Sequence, residues 1–290
     1  MTRPHTRPAL LLAALLLALV AGCSALRVGY NQADLILAHY ANDYFDLDRA
    51  QRLDFEARTD RLLAWHRRDQ LPDYVAFLTE AKARTERGVT REDVLWLIEG
   101  VKARFRTLGA QAAPDAAPLL ATLTDAQIAH LQQEWDKSNA KFAREWKLAA
   151  PEAERRRLIL RKTLDQVRDW TGALTVEQEK QIADLLRGVP LVTQLRHEDR
   201  IRRQKEFARL LAERRQPDFA GKLRAWLTDW ESGRNPEYER MQEQVTEQRI
   251  RIILAVQASL TPEQKRKALH RLQDYIDDLR ALAGQRVAAQ

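Results

Sequence analysis

Apolar side chains recur every third or fourth residue along most of this chain. Leu269, Leu272, Ile276 and Leu279 form one stripe, and Tyr238, Met241, Val245, Ile252 and Val256 form a second. Phe207, Leu210 and Leu211 continue a third from Leu191 and Leu195. Such spacing gathers the apolar groups on one side of a 3.6-residue helix, which must then find a partner. Strict alternation of apolar and polar residues is almost absent, so no strand is predicted. The pattern predicts an all-α fold of about ten or eleven amphipathic helices in an elongated or curved antiparallel bundle. The predicted helices are 31–44, 48–68, 72–87, 90–108, 124–149, 151–171, 175–187, 190–214, 217–232, 236–258 and 261–283.

Several of these helices announce their own starts. Leu123-Thr-Asp-Ala-Gln127, Leu174-Thr-Val-Glu-Gln178 and Leu260-Thr-Pro-Glu-Gln264 share the form L-T-x-x-Q, and Leu47-Asp-Arg-Ala-Gln51 repeats it with Asp as the cap. The Thr or Asp side chain accepts from the backbone N–H three residues on, and the Gln reaches back to the cap's own N–H. Pro262 fits the first helical position, where its missing N–H costs nothing. The copies are irregularly spaced, which excludes a regular solenoid. The Ala- and Pro-rich stretch 110–118 breaks the pattern. It reads either as a linker between an N-terminal helical subdomain (23–109) and a C-terminal one (119–290), or as a loop within one continuous bundle.

The N-terminus has a different texture. Arg3 and Arg7 precede an apolar run from Ala9 to Leu19, and Val20-Ala21-Gly22-Cys23 closes it. A basic stretch, a short apolar stretch and small residues before a cleavage point make the layout of a secretory signal over residues 1–22. The run is short of the roughly 20 residues needed to span a bilayer. Cys23 is the only cysteine, and its setting resembles the lipobox of bacterial lipoproteins. That resemblance implies a diacylglyceryl group and an N-acyl group on Cys23, which becomes the first residue of the mature chain. Ser24 rather than Asp after it implies sorting to the outer membrane, facing the periplasm. With no other thiol, the protein makes no internal disulfide, and its stability must come from packing.

Composition removes other classes. The formal charge is +7, yet charged residues are 31% of the chain with both signs interspersed. That describes a helical surface laced with ion pairs rather than the clustered basic face of a nucleic-acid binder. The most basic stretch runs from Arg196 through Arg200 and Arg203 to Lys205; it is either a solvated helix face or a contact for an anionic partner. Asp43, Asp46 and Asp48 surround Tyr44 and Phe45 but lack the Gly and bidentate Glu of a calcium loop. No H-E-x-x-H, G-x-S-x-G or phosphate-binding loop is present, so no metal, cofactor or catalytic residue is nominated.

Aromatic residues provide the remaining candidates. Trp65 and His66 end a predicted helix just before Leu71-Pro72 and Tyr74. Trp226 and Trp230 are four apart and share a predicted helix face. With Arg196, Arg200 and Arg203 they are the candidate partner-binding residues, since such rings are enriched where proteins bind others. The same side chains also suit ordinary interhelix packing.

The L-T-x-x-Q segments resemble the motif of the Spy and CpxP periplasmic proteins, all-helical cradles linked to envelope stress and client holding. Tyr30-Asn-Gln-Ala-Asp-Leu35, Asp43-Tyr-Phe-Asp-Leu-Asp48, Trp65-His-Arg-Arg68, Leu71-Pro72 with Tyr74, Asn139-Ala-Lys-Phe142 and Trp230-Glu-Ser-Gly-Arg234 with Pro236-Glu-Tyr238 resemble an uncharacterised family of proteobacterial lipoproteins. That family implies a helical lipoprotein and no established activity. The resulting expectation is a non-catalytic envelope protein, chaperone-like or an adaptor, binding an envelope protein client. A hydrolase of envelope polymer or lipid, or a dedicated steric chaperone, is the alternative.

Overall fold

A computed structural model describes residues 25–285, and every regular element in it is helical. The elements are α1 (Ala25–Asn31), α2 (Ala33–Phe45), α3 (Arg49–Trp65), a π-helical turn (His66–Gln70), α4 (Leu71–Arg87), α5 (Arg91–Ala121), α6 (Asp125–Glu145), α7 (Glu152–Thr171), α8 (Val176–Arg187), α9 (Thr193–Ala212), α10 (Phe219–Thr228), α11 (Pro236–Ser259) and α12 (Pro262–Gly284). Each predicted helix has its counterpart; α1 is additional. The predicted signal segment and Cys23 lie outside the described residues.

All four glutamine caps form as the motif requires. Asp48, Thr124, Thr175 and Thr261 each accept from the backbone N–H of Gln51, Gln127, Gln178 and Gln264, and each glutamine returns a bond to its cap's backbone. A fifth box, Thr90 with Asp93, starts α5.

The four glutamine boxes meet in pairs. Nε2 of Gln127 donates to Oε1 of Gln51 at 2.6 Å, and Nε2 of Gln51 donates back to Oε1 of Gln127 at 3.3 Å. Gln178 and Gln264 do the same at 2.9 and 3.0 Å. Each Nε2 also reaches a backbone carbonyl two residues ahead of the opposite cap: Gln51 to Thr122, Gln127 to Asp46, Gln178 to Ser259 and Gln264 to Ala173. All four glutamines are buried. Two helix starts are thereby clasped through side chains whose polar atoms are fully used, which is what burial of an amide demands.

The segment 110–118 is no linker. It lies inside α5, an uninterrupted helix of 31 residues, about 46 Å long at 1.5 Å per residue. Its small side chains are an interface: Ala113 and Ala117 are buried, and a Cβ on Gly109 would stand 3.0 Å from the Leu227 carbonyl of α10. A small-residue stripe lets two helices approach closely, and composition alone reads the same stripe as flexible. Pro114 and Pro118 are tolerated inside the helix, and nearby Arg58 Nη1 donates to the Asp115 carbonyl at 2.8 Å.

The predicted break before Pro72 is also bridged. Proline's ring opposes the carbonyl one α-turn earlier, and the chain widens instead into a π turn, with the Leu71 N–H bonded to the His66 carbonyl. Helices α3 and α4 thus run on through a bulge, a common means of bending a helix without ending it.

Two apolar clusters form the core. The larger joins Ala41 and Leu47, the C-terminal part of α5, Leu123 and Leu131, Phe207 to Leu211 of α9, and Phe219 and Leu223 of α10. The smaller joins Leu71 of α4 to Leu279 and Leu282 of α12, with Leu26 and Tyr30 against them. Each fully buried leucine contributes about 1.5–3 kcal/mol.

Candidate functional site

The π turn gathers one set of predicted residues. His66 lies between two tyrosines: Tyr30 Oη is 2.9 Å from Nδ1, and Tyr74 Oη is 3.3 Å from Nε2. Trp65 sets its ring edge-on to the imidazole at 6.3 Å. Arg67 covers the Tyr30 ring at 5.1 Å and donates to Asn31 Oδ1 and Gln285 Oε1. Burial holds the His66 pKa below the usual imidazole value and pushes those of Tyr30 and Tyr74 up. Both ring nitrogens of His66 are engaged, so the geometry makes it a structural pin between α1, α3 and α4. A free base or metal ligand would need one nitrogen open. Among the described residues, no group of three or more histidine, cysteine or acidic side chains could hold a metal ion.

Trp226 and Trp230 do not share a helix face, because α10 ends at Thr228 and the chain turns through Gly233 at φ 72°. Trp226 stacks on Phe207 at 4.6 Å, and the Arg203 guanidinium lies over its ring at 4.1 Å. Burial is the leading cause that lowers the Arg203 pKa. Trp230 lies apart, with Arg106 over its ring at 5.2 Å. These indoles pack helices together rather than line one groove.

The basic stretch divides along α9. Arg202 pairs with Asp199 and Glu206, and Arg203 with Glu206. Arg196 and Arg200 have no acidic partner among the described residues. Arg200 donates to Asn139 Oδ1 at 2.8 Å and Ser138 Oγ at 2.7 Å. Arg196 lies 5.8 Å from the Trp146 ring, which Lys162 of α7 also approaches, at 4.9 Å. Phe142 stacks on His197 at 5.4 Å. Desolvation first, then the Arg196 guanidinium, holds the Arg249 pKa below the usual arginine range. The result is a cationic, aromatic corner formed by α6, α7, α9 and α11. Of its members, sequence reading identifies Arg196 and Arg200. Lys162 stands in the sequence only as the end of the basic run from Arg155, and Arg249 gives no signal, because its neighbours come from distant helices.

The exposed apolar side chains provide another binding-competent surface. On α5, Leu97, Val101 and Phe105 stand at successive turns and are open to solvent, Phe105 at 61%. On α2, Leu35, Ile36, Leu37 and Tyr40 are also exposed. Among the described residues, no helix is long and apolar enough to cross a membrane.

Fold and surface define an all-helical protein with clasped helix starts and apolar ridges left open. The chain belongs to the family of unknown function DUF6279, whose model matches residues 43–240. No curated protein and no solved structure matches it.

Proposed function

We propose that this protein is a non-catalytic binding protein of the bacterial envelope, anchored through lipid on Cys23 to the periplasmic face of the outer membrane, and that it holds apolar segments of a protein client. The carrying observation is the α5 ridge of Leu97, Val101 and Phe105. Large apolar groups partly open to solvent at successive turns, here Leu97 at 39%, Val101 at 41% and Phe105 at 61%, are a usual mark of an interaction surface. Arg104 and Lys102 stand on the same helix, tied to Asp73, Glu99 and Glu231, and supply the charged rim that keeps such a ridge soluble. The resemblance of the glutamine boxes to those of Spy and CpxP, and of the aromatic segments to proteobacterial lipoproteins, supports the same reading.

The test uses the mature chain with Cys23→Ser and a reduced or heat-stressed client protein. Several-fold excess delays client aggregation, and Val101→Ser with Phe105→Ser abolishes the delay without loss of helical signal. No delay by the parent chain, or an equal delay by the double variant, would overturn the assignment. Palmitate labelling in cells, lost in Cys23→Ala, tests the anchor separately.

A further inference from the structure

The first helices behind Cys23 are apolar on two sides. The inward side of α1 and α2 holds Leu26 and Tyr30 against the smaller core cluster and Ala41, Tyr44 and Phe45 against the larger. The outward side carries Val28, Leu35, Ile36 and Tyr40, with Leu35 at 67% and Tyr40 at 58% exposure. Along α2, at 100° per residue, Leu35, Ile36 and Tyr40 fall within one broad arc, opposite Ala41. A helix with apolar groups on opposite sides faces two apolar phases, and one of these phases is the protein itself.

The position of the stem in the chain indicates the other. Only Ser24 separates Cys23 from Ala25, the first residue of α1. Two residues of extended chain reach about 7 Å, so an acylated Cys23 would hold α1 within a side chain's length of the lipid headgroups. No lysine or arginine occurs between Val28 and Asp48, and His39 pairs with Asp43 on the outward side at 3.3 Å. Arg49 and Arg52 follow at the start of α3, both exposed, with Leu53 also exposed beside them. Tyr40 has the apolar body and polar tip favoured at a bilayer interface.

We propose that α1 and α2 form an interfacial stem: their outward side lies in the phospholipid surface beside Cys23 and seats the helical body against the bilayer instead of letting it swing on its tether. This rests on the reading of Cys23 as the lipid attachment site. The stem adds orientation to an anchor that the acyl chains alone would leave free to rotate.

The experiment uses the mature chain with Cys23→Ser, which carries no acyl group, and flotation with vesicles of phosphatidylethanolamine and phosphatidylglycerol. The parent chain floats measurably with the vesicles, and Leu35→Glu with Tyr40→Glu lowers its partition coefficient at least about tenfold, the scale of withdrawing one large apolar side chain from water. Because Cys23 is the only cysteine, Leu35→Cys in the same background gives a single site for a polarity-sensitive dye. Its emission shifts to the blue with vesicles, while a dye on Phe105→Cys does not shift. Equal flotation of parent and double variant overturns the proposal. So does a concentration-dependent dimer, without vesicles, that Leu35→Glu abolishes, since the outward side would then belong to a second copy. Failure of the anchor reading appears elsewhere, as an intact mass without acyl groups in protein purified from membranes, and leaves the vesicle result standing.

Discussion

Gln178→Glu isolates what the clasped boxes do. In an isolated capping box, glutamate serves as well as glutamine, because only an acceptor oxygen is needed to reach back to the cap's N–H. Here the Gln178 Nε2 also donates to the Ser259 carbonyl at 2.7 Å and to Gln264 Oε1 at 2.9 Å. Glutamate keeps the local cap and removes both donations. The part-buried Ser259 carbonyl then loses its side-chain donor, at about 1–3 kcal/mol, Gln264 Oε1 is left with the Thr261 N–H alone, and a carboxylate enters a site that is 5% exposed. The expected loss is about 2–5 kcal/mol at neutral pH, read as a lower midpoint in urea unfolding followed by helical circular dichroism. The penalty carries its own pH signature. Burial without a cation raises the folded-state pKa of the introduced carboxyl above its unfolded value of about 4.3. The folded state therefore binds the proton more tightly, and the deficit shrinks as pH falls toward about 4. A Gln178→Glu protein as stable as its parent at neutral pH would refute the reasoning. The Thr90–Asp93 box shows why an acid is tolerated elsewhere: Asp93 faces Arg84 at 2.8 Å and Arg87 at 3.6 Å rather than a second amide.

Two further substitutions test the packing. His66 has its folded pKa lowered by burial, so its contribution to stability is complete above the unfolded value of about 6.5 and is lost as pH falls through the folded value; His66→Gln flattens the urea midpoint between about pH 7 and 5, whereas the parent's falls. Gly100→Ala places a Cβ 2.3 Å from the Phe77 ring, which Trp96 holds at 4.6 Å. The clash, about 1–3 kcal/mol, outweighs the roughly 1 kcal/mol that alanine gains in a helix, and thermal unfolding occurs at lower temperature.

What the sequence discloses follows from the range of the forces involved. The caps at Thr124, Thr175 and Thr261 are legible because each is complete within four residues. Their pairing is not, since Gln51 meets Gln127 across 76 positions and Gln178 meets Gln264 across 86. The Ala-Pro stretch of α5 misleads for the opposite reason: small residues are permissive locally, and only α10 against Gly109 makes them an interface. The prediction for Trp226 and Trp230 fails at one boundary, where α10 stops at Thr228 and four-residue spacing loses its meaning. The tyrosines around His66 are each visible in the sequence, but the turn that brings them together arises from Pro72 and its widened helix.

The clasps also bear on the order in which the chain can mature as it emerges. Helix α3 can start as soon as Asp48 and Gln51 exist, yet the amide of Gln51 has no lasting partner until Gln127 follows. The start of α8 waits for Gln264, close to the C-terminal end of the described chain. Contacts of such long separation form late and close large loops. A chain built this way holds α3 provisionally until Gln127 follows and α8 until Gln264 follows. That property would suit the proposed envelope address, which the chain would reach by crossing a membrane as an unfolded thread.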